Sequence, residues 1–251
     1  MSDPHAPSQP GTPATEPASP SLSVGGVLSE AFSLYTRFFT RFFVLALVVF
    51  LVLNLVTALA AVGLQDGGGG GFFVSVVSLA IAVIGTYWLQ GALVFAVQDV
   101  RDGQVDSSIS ELLRKVTPFL GTLVVAGLLA GIGIGVGLVL LIVPGVYLLT
   151  IWALIVPAIV LERAGVTEAF GRSRALVSGR FWPVLGIVVV AAVVSAVAQG
   201  IVSAVLAFLP LFLQYWIGAA VAGAVAVPFM ALAITLTYFA LRAEKDGAAS
   251  A

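Results

Sequence analysis

The chain has 251 residues, 60% of them hydrophobic and 9% charged, with a formal net charge of −1 at pH 7. A soluble domain carries about 25% charged residues, so a soluble globular fold is excluded. The near-neutral balance argues against a nucleic-acid partner. There is no cysteine, which removes disulfides, thiolate nucleophiles and Cys-ligated metals.

The first 23 residues hold six of the twelve prolines and lack both a basic start and an apolar core. That is not a signal peptide, and it cannot bury enough apolar surface to order itself. A disordered cytoplasmic tail is expected over 1–23, with a Pro-rich partner site as the alternative. Apolar runs then predict six membrane spans, at about 42–64, 72–98, 119–143, 146–161, 181–209 and 215–241. The fourth is short for a crossing and is expected to recruit residues from a turn at Pro144–Gly145. Residues 24–242 thus read as one membrane domain, followed by a short cytoplasmic tail at 243–251.

Basic residues sort to one side of these spans. Arg37 and Arg41 precede the first; Arg101, Arg114 and Lys115 lie between the second and third. Arg163, Arg172, Arg174 and Arg180 lie between the fourth and fifth, and Arg242 and Lys245 follow the sixth. The opposite connections, "QDGGGGG", "PG" and "PLFLQ", carry none, and Asp66 is their only acid. The positive-inside rule makes the basic side cytoplasmic, with both termini inside. Scarce Lys beside abundant Ala, Val and Gly points to a GC-rich bacterial source, hence the inner membrane.

A short pattern recurs on that side: "LSEAF" at 28–32, "ISELL" at 109–113 and "VTEAF" at 166–170. Each is expected to open an amphipathic helix with its acid (Glu30, Glu111, Glu168) in the first turn, where the helix dipole favours negative charge. Glu111–Lys115 and Glu168–Arg172 have i,i+4 spacing. Ser108 with Glu111 fits a capping box. Even-numbered spans close on "DVRDG" (99–103), "ERAG" (162–165) and "RAEKDG" (242–247), a charge-then-Gly helix stop. The fold expected is therefore all-α and polytopic: three units, each an interfacial amphipathic helix followed by a transmembrane hairpin.

Three stretches carry a family resemblance: "SVGGVLSEAFSLYTR", "IVPGVYLLTIWALIVPAIVLERAGVTEAFGRSRALVSGRFWPVLG" and "TLTYFALRAEKDG". They resemble bacterial six-span proteins of the glycerophosphoryl diester phosphodiesterase membrane-domain family, over about residues 24–242. The resemblance implies the six-span fold. It does not imply the phosphodiesterase reaction, which uses His and several carboxylates around a metal; the only His here is His5, in the tail.

Candidate functional residues follow from what hydrocarbon tolerates. No span holds an ionisable residue away from its ends, so neither catalytic residues nor a metal or cofactor site is expected. "GIGIGVG" fails nucleotide-loop spacing; Gly131, Gly133, Gly135 and Gly137 instead match small-xxx-small helix packing. Asn54, Gln90 and Gln199 are the deep polar groups, either interhelical glue or the lining of a polar pocket. Pro157 and Pro228 interrupt even-numbered spans. Arg37, Arg41, Arg172, Ser173, Arg174 and Arg180 are candidates to hold anionic lipid headgroups or a protein partner. The expectation is a non-catalytic scaffold or accessory factor; the alternative is a transporter or flippase for a lipid or small neutral solute.

Overall fold

A computed structural model describes residues 23–63, 71–103 and 107–249. The tail over 1–22 and the connection 64–70, with Asp66, lie outside the described residues. The elements are α1 (Val24–Arg37), α2 (Phe39–Gly63), α3 (Gly71–Arg101) and α4 (Ile109–Val116), then, after a 3-10 turn (Thr117–Phe119), α5 (Leu120–Leu140). There follow α6 (Ile142–Ile151), α7 (Ile155–Glu162), α8 (Val166–Val177), α9 (Phe181–Val205) and α10 (Leu211–Leu213). A π-helical turn (Gln214–Gly218) leads into α11 (Ala219–Ala249). Six stretches are long and apolar enough to cross a bilayer: Phe39–Ala60, Gly71–Arg101, Ile109–Leu140, Ile142–Glu162, Phe181–Val205 and Leu211–Gly247. The protein is an all-α, polytopic membrane protein.

Hydrocarbon as solvent inverts the usual surface rule. Phe72 and Val139 are 82% and 87% exposed without penalty. The interior is built of small and branched side chains. Ala92, Ala158, Ala191, Ala224 and Ala233 are fully buried beside Leu93, Ile159, Ile187 and Leu232. Close approach of this kind, rather than a hydrophobic drive, holds helices together in lipid.

Several boundaries move from their sequence-based positions, each for a physical reason. The middle hairpin turns at Leu141, whose backbone is extended (φ −157°, ψ 136°), and Pro144 and Gly145 lie inside the first turn of α6. Proline tolerates that place because its missing N–H has no intrahelical partner there. The fourth span is consequently 21 residues long, enough to cross. It breaks between α6 and α7 at 152–154, one turn before Pro157, whose ring clashes with the carbonyl four residues back. Span five ends earlier and span six starts earlier than expected, at Val205 and Leu211. The charge-then-Gly stop works after α3, where Gly103 is left-handed (φ 73°). It does not stop α11, which runs through Gly247 to Ala249.

The short helices pack on the bundle. α1 starts at Val24, with Ser23 Oγ capping it by accepting from Gly26 N at 3.0 Å. Glu30 therefore sits in the second turn, not the first. α1 buries Val27 and Ala31 against the bundle and leaves Phe32 59% exposed. Tyr35 reaches across to α11, where its hydroxyl donates to Val225 O at 2.6 Å. α4 buries Leu112 and Val116, and α8 buries Ala169, Leu176 and Val177.

The glycine run of α5 divides by helical phase. A Cβ on Gly137 would lie 2.9 Å from Gly145 Cα, and one on Gly133 would lie 2.7 Å from the Trp152 ring. Gly131 and Gly135 meet nothing. Gly137 and Gly145 are thus where the α5–α6 hairpin closes backbone to backbone. Gly137→Ala is expected to lower stability by about 1–3 kcal/mol through overpacking, whereas Gly135→Ala leaves it unchanged or slightly raised. Thermal unfolding in detergent measures the difference.

Candidate functional site

The basic ends of the spans are organised by acids at the ends of the even-numbered spans. Arg41 Nη2 donates to Asp99 Oδ2 at 2.8 Å and to Ser107 O at 2.9 Å. Arg180 holds Glu244 through both Nε and Nη2. In each case an arginine opening one span grips the acid closing the next, so the pair locks a hairpin at its base. The middle hairpin has no arginine at that place. Its acid, Glu162, is taken instead by Arg172 from α8, with Nε and Nη2 both 2.8 Å from its carboxylate. The Tyr238 hydroxyl of α11 donates to the same carboxylate, and Arg242 lies 4.0 Å away. The hydrogen bond with Glu162 raises the pKa of Arg172 above its ordinary value.

Arg41, Arg172 and Arg180, three of the candidate headgroup contacts, are each engaged by a carboxylate of the same chain. The expected Glu168–Arg172 pair gives way, because Glu162 stands closer across the α7–α8 turn. Glu168 Oε2 accepts from Gly165 N at 3.2 Å instead. Glu111 does approach Lys115, at 3.9 Å. The capping box at Ser108 is half made: Ser108 Oγ accepts from Glu111 N at 3.3 Å, while the Glu111 carboxylate turns to Lys115. Glu30 is exposed and makes no such pair among the described residues. Arg37 and Arg174 are exposed and engage no carboxylate among the described residues; the Arg37 guanidinium lies 5.3 Å from the Phe38 ring centroid.

Ser173 is fully buried, not a headgroup contact. Its hydroxyl donates to Ile151 O at 2.7 Å and accepts from Leu154 N at 3.2 Å. It thereby satisfies two of the backbone groups that the break in the fourth span frees, a donor and an acceptor. A similar repair surrounds Pro228, which cannot donate to Ala224 O. The next two carbonyls, Val225 O and Ala226 O, accept from the hydroxyls of Tyr35 at 2.6 Å and Ser195 at 3.1 Å. Burial pushes the Tyr35 hydroxyl up to about 12, so it stays a neutral donor at any physiological pH.

The deep polar residues separate into two groups. Gln90 of α3 and Gln199 of α9 line one cavity of about 470 Å³, together with Ser195 of α9, Thr235 of α11 and Pro157 of α7. Most of the remaining wall is alanine and valine: Ala153, Ala192, Ala196, Ala226, Val94 and Val156. The volume falls in the range of small-ligand sites, roughly 300–1,000 Å³. Gln90 lies nine residues before Asp99 and Thr235 nine before Glu244, each ~14 Å along its helix from the basic end. Ala192, Ala196 and Gln199 are exposed, so the cavity opens sideways past α9 toward lipid.

Neither glutamine side chain has a hydrogen-bond partner among the described residues, and Thr235 Oγ1 is buried without one. Asn54 stands apart from this cavity, and its side chain makes no hydrogen bond among the described residues. The signal available in the sequence was their shared polarity at depth; the element that sorts them, the rotation of α9 against α3 and α11, was not.

Comparison with protein-family models, with curated proteins and with solved structures finds no match. Function is therefore read from these side chains alone. Ser173→Ala is expected to cost about 1–3 kcal/mol, because it leaves a buried donor and a buried acceptor unpaired. Arg174→Gln, at an exposed residue that forms no ion pair among the described residues, should stay within about 0.5 kcal/mol of wild type. Parallel melts of the two variants check this.

Proposed function

We propose that this protein is a non-catalytic membrane protein that holds and passes an uncharged amphiphile, a lipid or a small neutral solute, through the cavity between Gln90 and Gln199. One observation carries the reading: two carboxamides and a buried threonine hydroxyl line the same cavity within the spanning segments and have no hydrogen-bond partner among the described residues. An unsatisfied polar group in hydrocarbon costs several kcal/mol, so a ligand or water must meet them. The donors and acceptors on the wall are neutral, which selects hydroxyl, amide or ester groups over ions. Alanine walls and a lateral mouth suit an alkyl chain entering from the bilayer.

The resemblance to the membrane-domain family fits this reading in fold and adds no substrate. The sidedness rule sets the clasped ends toward the cytoplasm, in the inner membrane of a bacterium. A scaffold or accessory role is the second reading. Exposed Arg37 and Arg174, which engage no carboxylate among the described residues, favour it, since a headgroup or an acidic partner can reach them.

Purification in native lipid followed by mass spectrometry of what stays bound tests the first reading. Wild type is expected to retain a neutral amphiphile. Each glutamine contact is worth roughly 0.6–1.7 kcal/mol in a membrane, so Gln90→Leu with Gln199→Leu should weaken retention about tenfold to a few hundredfold. Ala196→Trp, which fills the mouth, should abolish it. Retention unchanged in both variants would reject the cavity as the site and leave the scaffold reading.

A further inference from the structure

A second cavity, of about 620 Å³, lies at the basic ends of the spans and takes no residue from the three arginine–carboxylate clasps or from the cavity above. Lys115, from the last turn of α4, and Arg163, just past the end of α7, stand at it. Phe95, Phe119 and Pro118 form its apolar wall, with Gln98 beside them. The two phenyl rings lie 6.4 Å apart, centroid to centroid.

Arg163 is the notable member. It is the one non-glycine residue with a left-handed backbone among the described residues, at φ 57°. At the corresponding stop after α3, Gly103 takes that conformation (φ 73°). Glycine adopts it freely; an arginine is held there against its preference. Strain of this kind is kept where a side chain is needed in place. Arg163 is exposed and forms no ion pair among the described residues. Its neighbour Glu162 is already occupied by Arg172 and Tyr238. Lys115 donates to Ser107 Oγ at 2.9 Å and meets Glu111 only at 3.9 Å. The mouth therefore keeps a net positive charge, while its wall is aromatic and continuous with the spanning segments.

We infer that this cavity binds one anionic phospholipid of the leaflet on the basic side, its phosphodiester between Lys115 and Arg163 and an acyl chain against Phe95, Phe119 and Pro118. Charge selects an anion. The depth and apolarity of the wall select an anion that carries a hydrocarbon chain. This site is separate from the Gln90–Gln199 cavity and takes the opposite class of headgroup.

The test uses the full chain in nanodiscs of phosphatidylcholine with a minor share of phosphatidylglycerol, with retained lipid counted by mass spectrometry after mild extraction. Wild type should keep phosphatidylglycerol in preference to phosphatidylcholine. Lys115→Gln and Arg163→Gln should each lower that retention about fivefold, the share one interfacial cation carries. Arg163→Gly separates binding from folding: retention should fall by the same factor while the melting temperature stays level or rises. Lys245→Gln, which removes a cation of the same side outside this cavity, should change nothing. Equal retention of both lipids by wild type, wild-type retention by Arg163→Gly and Lys115→Gln, or an equal loss in Lys245→Gln would overturn the assignment.

Discussion

Hydrocarbon offers a charge or a backbone amide nothing to bond with, and nearly every feature of this chain is an answer to that solvent. Charges withdraw to one end of the spans, where water and headgroups are available. Three carboxylates close even-numbered spans there, and each is gripped by an arginine: Asp99 by Arg41, Glu162 by Arg172, Glu244 by Arg180. Two of these pairs tie the feet of a single hairpin. The third ties the middle hairpin to α8, and through Tyr238 to α11. Exposed ion pairs contribute little; these are partly shielded, which makes their contribution to orientation larger than their surface counterparts allow. Their chief effect is geometric, since they fix which helix ends meet.

The same solvent governs the backbone. A broken helix in a bilayer leaves N–H and C=O groups that only protein can satisfy. Ser173 serves the break before α7, and Tyr35 and Ser195 serve the carbonyls near Pro228. The serine that repairs the fourth span comes from α8, and the tyrosine comes from α1. Those short helices are therefore structural parts of the bundle as well as surface elements. Within the spans, Gln90, Gln199 and Thr235 stand out, because their side chains have no hydrogen-bond partner among the described residues. The exception defines the cavity.

Much of the architecture could be read directly. Apolar runs gave the spans to within a few residues, because transfer into hydrocarbon acts on each residue in turn. Side chains whose roles depend on neighbours distant in sequence were harder. Arg172 and Glu168 have helical i,i+4 spacing, yet Arg172 turns to Glu162 across a loop, a choice that depends on the α7–α8 angle. Gly131, Gly133, Gly135 and Gly137 share one motif, and only the docking of α6 decides that Gly133 and Gly137 are crowded while the others face open space. Ser173 looked like a polar surface residue within a basic stretch; its burial follows from the break in a different helix. Gln90 and Gln199 were legible as deep polar groups, but their meeting in one cavity is a property of helix rotation.

A map of the protein in lipid nanodiscs at side-chain resolution tests most directly whether the cavity exists to be filled. Density bridging the carboxamides of Gln90 and Gln199, continuous with the lateral mouth beside Ala196, is the expected result. A closed, dry contact there, with both glutamines bonded to protein groups, would contradict it.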